Sequence, residues 1–331
     1  MKRNFITLTL AFSLILSVNI FTACQKDSNA DLPVPENDSI TMEAGYANDV
    51  YYSLSEGVVA TVYRTDWDIA FGVDPQTSAI LINEAAGVEL KVYPTTQGWS
   101  WSDPVDVTNF DQWDNLFNPD TTWDDGAFGA NASGVLNYGW GDYNTVSHNI
   151  EGSALYIIKT RSGAMKKIFI SMKYSAEQRY TFKFEDLNTK AEYDVDLDCS
   201  DSNANFVYYS LDNNTRIDRE PDKSLWDLVF TKYIDNTINY NVTGVLSNTG
   251  VKVAEKDGST FNNVTWSDED FSENINVVGS DWKSFDNVNM AYTVDSEKVF
   301  IVKTASGDTY LLNFTGFDYT NGKAVFRKLK K

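Results

Sequence analysis

One histidine and two cysteines in 331 residues leave almost no nitrogen or sulfur from which to build a zinc or iron-sulfur centre. Cationic side chains are scarce as well. Lys and Arg number 27 against 47 Asp and Glu, a net charge of -20. Such a surface repels phosphate backbones and anionic headgroups, which removes nucleic acid from the natural partners. No segment offers a long apolar stripe at helical spacing, so helix is expected to be a minor component. Catalytic signatures are missing too: there is no Gly-x-Ser-x-Gly elbow, no phosphate-binding Gly-Lys-Ser/Thr loop and no Asp-x-Asp-x-Asp-Gly calcium loop. A Ser-His-Asp triad would need His148 beside an unidentified serine, and acidic pairs such as Asp124-Asp125 carry no evidence of a fixed separation across a cleft. The chain is not expected to be an enzyme. What is present is aromatic: 9 Trp, 18 Tyr and 19 Phe within 42% hydrophobic residues, enough to fill a β-rich core and to exclude disorder over most of the length.

The first residues read as an address. Lys2 and Arg3 precede an uncharged stretch from Phe5 to Phe21, which ends at Thr22-Ala23-Cys24 and gives way to polar chain. That is the pattern of a secretory leader spanning 1–23, with Cys24 as the lipidated first residue of the mature protein. Phe21 stands where a lipoprotein cleavage box usually has leucine. With Cys24 carrying lipid, Cys199 has no partner for a disulfide, and its place after the alternating Val195-Asp196-Leu197-Asp198 makes it a buried spectator thiol. Residues 24–45 read as a flexible tether, stiffened by Pro33 and Pro35. Its start, Cys24-Gln25-Lys26-Asp27, resembles the short signal that sends lipoproteins of Bacteroidetes-type bacteria to the cell surface.

The remaining chain repeats itself. Tyr51-Tyr52-Ser53-Leu54 returns as Tyr208-Tyr209-Ser210-Leu211, and Trp67-Asp68-Ile69-Ala70-Phe71 returns as Trp226-Asp227-Leu228-Val229-Phe230. Trp101-Ser102-Asp103 returns as Trp266-Ser267-Asp268, and Tyr156-Ile157-Ile158-Lys159-Thr160 returns as Phe300-Ile301-Val302-Lys303-Thr304. Four anchors in the same order imply an internal duplication, with one domain over 46–198 and a second over 199–331. The spacing between the last two anchors is longer in the first copy, which locates an insertion between Trp101 and Tyr156. The Gly- and Trp-rich stretch 123–142 is its candidate, read as an open loop.

Each copy reads as β structure. Period-two alternation places Trp67, Ile69 and Phe71 on one face of a strand, and Trp226, Leu228 and Phe230 on another. Leu155 to Lys159 and Ile168 to Met172 flank the turn at Ser162-Gly163, and Val299 to Lys303 and Tyr310 to Phe314 flank the one at Ser306-Gly307. Both are hairpins in sequence grammar. Tyr180 to Phe184 and Ala324 to Arg327 supply a last strand for each copy.

At these hairpins the sequence resembles the HmuY-like haem-binding lipoproteins. The features carrying the resemblance are the tyrosine-rich strand at Tyr208 to Leu211, the Trp-Asp strand at Trp226 to Phe230, and the closing strands and Gly-containing turn within Lys298 to Phe326. The resemblance covers roughly residues 46 to 331 and implies an all-β fold, here as two tandem HmuY-like domains. It also implies a role in iron acquisition: haem held between loops by axial side chains and passed to an outer-membrane receptor of the TonB type. The best-known branch uses two histidines, a pair that this chain cannot supply. One of the family's histidines lies between a tryptophan and the closing aliphatic strand. The corresponding windows, Trp140 to Tyr156 and Trp282 to Phe300, contain His148 and Met290. Imidazole and thioether both ligate haem iron, which makes these two the haem-ligand candidates.

Flat aromatic surfaces stack on sugar rings as readily as on porphyrin. Trp123 and Trp140 are therefore the candidates for exposed ligand contacts. A surface lipoprotein that binds glycan or peptide, or docks on a receptor without haem, is the alternative.

Overall fold

The structure, a computed structural model, describes residues 34–96 and 98–331. The leader, Cys24 and the first part of the tether lie outside the described residues. The described chain is all-β: four antiparallel sheets and one two-stranded sheet, with 3-10 turns of three residues and no longer helix. No helix among the described residues is long and apolar enough to cross a membrane.

The expected hairpins form. Tyr156–Lys159 pairs with Met165–Tyr174 across the Ser162-Gly163 turn, and Val299–Lys303 pairs with Thr309–Asp318 across Ser306-Gly307. Gly163 and Gly307 take the positive φ that these turns require. Around the first hairpin grows a seven-stranded outer sheet drawn entirely from Glu89 to Asp198. Its main path runs Glu192–Asp198, Arg179–Asp186, Met165–Tyr174, Ile150–Gly152, Gly141–Tyr143. Around the second grows a five-stranded outer sheet, in the order Glu36–Thr41, Lys323–Lys330, Thr309–Asp318, Val299–Lys303, Lys252–Lys256. The strand Glu36–Thr41 corrects the tether reading. Residues expected to be flexible up to 45 pair in register with the last strand, Glu36 opposite Lys328 and Thr41 opposite Lys323. Ile40 is thereby buried in the core.

Two four-stranded inner sheets complete the molecule, and here the halves are interleaved. The tyrosine strand of the first half, Asn48–Ser53, pairs with Leu228–Asp235 of the second. The tyrosine strand of the second half, Phe206–Ser210, pairs with Ile69–Gly72 of the first. The sheets therefore do not divide at Asp198/Cys199. One core joins Ile69, Phe71, Ile158, Phe182 and Phe184 to Val207, Tyr209 and Leu211. The other joins Val50, Tyr52 and Leu54 to Leu228, Phe230, Phe314 and Phe326.

The exchange is locked at both crossovers by the same device. Asp68, fully buried, accepts the backbone N–H of Leu211 at 2.8 Å, and Asp227 accepts that of Leu54 at 2.7 Å. Asn83 donates its side-chain amide to the Arg64 and Trp67 carbonyls, as Asn248 does to those of Lys223 and Trp226. The chain bends at Asp68 and Asp227, so alternation fails there. Ile69 and Phe71 enter the first core, whereas Trp67 turns the other way to meet Ala70, Leu81 and Tyr208. Trp226 likewise leaves Leu228 and Phe230 to sit with Tyr51 and Val229. These outward faces of the inner sheets meet along a seam, where the Tyr51 and Tyr208 hydroxyls approach to 3.5 Å.

Candidate functional site

Two buried tryptophans support the two candidate ligands. Trp140 and Trp282 are both inaccessible, and each is followed by a β-hairpin. Eight residues after the first stands His148 at φ 59°, and eight after the second stands Met290 at φ 52°. Positive φ is uncommon for side chains of this size and marks a tight turn. Three residues after each tryptophan comes a ring, Tyr143 or Phe285, that turns toward its own hairpin. The Tyr143 hydroxyl meets His148 Nδ1 at 2.7 Å, and Phe285 lies 5.0 Å from Tyr292 across the strand pair. Both ligand candidates are exposed, Met290 by 63%. They occupy separate sheets, so the structure presents them at matching places without bringing them together.

The second hairpin bears a wider aromatic face. Tyr292 contacts Phe317 at 5.1 Å and Tyr319 at 6.0 Å, and Phe317 stacks on Tyr46 at 6.4 Å. These rings were not singled out from the sequence. The usable signal was Phe285 opposite Tyr292, a cross-strand aromatic pair with a turn-forming Asp286-Asn287-Val288-Asn289 between them. Beneath the face, Lys283 is buried against Trp282 and Phe317 and donates to the Thr243 carbonyl at 2.5 Å. Burial outweighs the pull of the Asp281 carboxylate and pushes its ammonium down to about 7.

The two aromatic contact candidates part company. Trp140 is not exposed: it lies in the first core and donates its indole N–H to the Ser78 carbonyl at 3.0 Å. The glycines around it mark close approach rather than an open loop. A Cβ at Gly126 would stand 2.2 Å from the Ile80 carbonyl oxygen, and Gly139 sits at φ 80° against Phe128. Ala127 and Phe128 are fully buried, so the first part of the 123–142 stretch plugs the core, while Val135 at its tip is 92% exposed. Trp123 is half-buried in the seam. Its indole N–H donates to the Ser247 carbonyl at 2.8 Å and its ring meets Phe206 edge-on at 5.9 Å.

The seam is held by a buried cation. Arg219 donates to Asp49 at 2.8 Å and to the Tyr63 carbonyl at 2.7 Å, lies 3.2 Å from Asp66 and stacks over Tyr208. Beside it Glu220 accepts from Asn205 and from the Tyr208 hydroxyl, and desolvation pushes its carboxyl up to about 7. Cys199 is fully buried and burial pushes its thiol up to about 12, the inert state expected of it. No group of three or more metal-ligating side chains occurs among the described residues.

No family model matches the sequence, and no curated protein does. Solved structures similar to part of the chain include the apo HmuY analogue of Tannerella forsythia. It is 13% identical and covers 50% of this chain and 94% of that one, at a TM-score of 0.25. Another is a proposed lipoprotein of Bacteroides fragilis, 16% identical, which covers 46% of this chain and 90% of that one at a TM-score of 0.22.

Proposed function

We propose that the chain is a non-catalytic binding protein, anchored to the outer membrane through lipid on Cys24 and exposed at the cell surface. It captures haem or a related tetrapyrrole and delivers it to a TonB-type receptor. Its halves, 46–198 and 199–331 in sequence, stem from an internal duplication. The observation that carries the reading is the matched presentation of His148 and Met290, each exposed at the turn of a hairpin founded on a buried tryptophan.

The residues fit the group as one axial donor per half. With Nδ1 of His148 engaged by Tyr143, Nε2 is the nitrogen open to iron. Met290 adds a thioether beside a face of rings suited to a porphyrin plane. The bound group would supply the iron to which these side chains attach. The protein's own contribution is to hold the donors outward and to offer apolar surface.

Haem titration of the wild-type chain followed by absorption tests the proposal. A shifted Soret band that weakens in His148→Ala and in Met290→Ala is expected. Spectra identical to those of free haem would end the haem reading, and a shift unchanged in both variants would end the site assignment.

A further inference from the structure

We propose that the groove crossing the seam beside Trp123 is a second binding site, for a neutral oligosaccharide. On one side of Trp123 lies a cleft of about 410 Å³, within the range of small-molecule sites, with Tyr138 and Phe206 among its walls. A further cleft of about 260 Å³ adjoins it along Trp123, Asp124 and Thr249, so the groove is longer than one sugar ring needs. Trp123 packs against both clusters of the seam and is held by its bond to the Ser247 carbonyl and its contact with Phe206, and the part of the indole that borders the two clefts is a platform on which the apolar face of a sugar can stack.

Around this platform stand polar side chains with nothing to do in the fold. The Asp124 carboxylate, the Lys223 ammonium and the Gln76 amide form no hydrogen bond or ion pair among the described residues, although all three line the first cleft. Together they offer an acceptor, a donor and a group that is both, the mixture that hydroxyls demand. The charge favours a neutral glycan over an acidic one: Asp74 and Asp124 outnumber Lys223 along the groove, Glu273 being paired with Lys252, and the whole chain carries -20. The groove belongs to the interleaved molecule. Its walls come from Asp74 to Ser78 and Thr121 to Tyr138 of the first half and from Ala204 to Ile275 of the second.

Native gel electrophoresis of the full chain in detergent, through gels containing glycogen, dextran, mannan or inulin, tests this site. Retardation by at least one of the four is expected. Trp123→Ala should abolish it, but that change also loosens the seam. The decisive variant is therefore the exposed pair Asp124→Ala with Lys223→Ala, which should weaken retardation at least tenfold while the circular dichroism spectrum and the Soret titration stay as in wild type. Absence of retardation in all four gels, or equal retardation of the paired variant, would overturn the proposal. Loss of haem binding alone would leave it standing.

Discussion

The hairpin after Trp140 and the hairpin after Trp282 begin alike and end differently. Both rest on a buried indole and carry their candidate ligand eight residues on at positive φ. The first is sewn into the seven-stranded sheet, since Ile150–Gly152 pairs with Met165–Tyr174, and the 123–142 stretch braces it through Asn137 and Asp142. The second is a separate two-stranded sheet whose rings lean on Phe317 and whose buried lysine donates to backbone carbonyls. An exposed turn at positive φ can thus be supported by backbone pairing or by aromatic packing. The second support leaves a broad apolar face beside Met290, and the first leaves none beside His148.

Each half completes its inner sheet with a strand of the other, and the seam is where this dependence can be broken. Arg219→Ala leaves the buried Asp49, and the half-buried Asp66 beside it, without their cation, so urea denaturation should show a loss of about 3–5 kcal/mol. A loss below about 1 kcal/mol would mean that the seam is incidental. The crossover carboxylates allow a finer comparison. Asp68→Ala and Asp227→Ala each orphan a backbone N–H and should cost about 1.5–3 kcal/mol. The Asp68 change should be the larger, because Asp68 is fully buried, whereas Asp227 is not, and Asp68 also accepts the Asp212 backbone N–H at 3.4 Å.

Protonation gives a smaller effect with a definite sign. The Glu220 carboxyl is raised from 4.5 to about 7 in the folded protein, so between these pH values the unfolded chain has already released a proton that the folded one retains. Its contribution makes stability fall as pH rises from about 4.5 to about 7, and level off above. Glu220→Gln should flatten that part of the curve relative to wild type; parallel curves would show that the group titrates normally. The smallest effect is expected from Tyr143→Phe. Removal of a half-exposed hydroxyl should change stability by about 0.5 kcal/mol or less, yet free Nδ1 of His148 and alter haem affinity in the first half alone.

Much of the fold was legible because hairpins and alternation are local. The strands around Ser162-Gly163 and Ser306-Gly307 could be placed from turn residues and aliphatic runs alone. The interleaving was not legible for a physical reason. Tyr51-Tyr52-Ser53-Leu54 and Tyr208-Tyr209-Ser210-Leu211 offer nearly identical edges to Trp-Asp strands that are themselves nearly identical, so nothing local selects a partner within or between halves. Selection comes from the crossovers, where Arg219 reaches Asp49 and Tyr63 in the distant half. At Trp67 the bend at Asp68 interrupted a period-two pattern that otherwise held. Trp140 was misread because glycines usually signal loops, whereas Gly126 and Gly139 here let backbone approach backbone. His148 and Met290 were found through a resemblance, and the turn conformation they share became visible only in three dimensions.

The most direct test of the account is the haem stoichiometry of the purified chain, read from the break point of a Soret titration. Two equivalents for wild type, one for His148→Ala, one for Met290→Ala and none for the double variant is the predicted series. A single equivalent that survives both substitutions would contradict it.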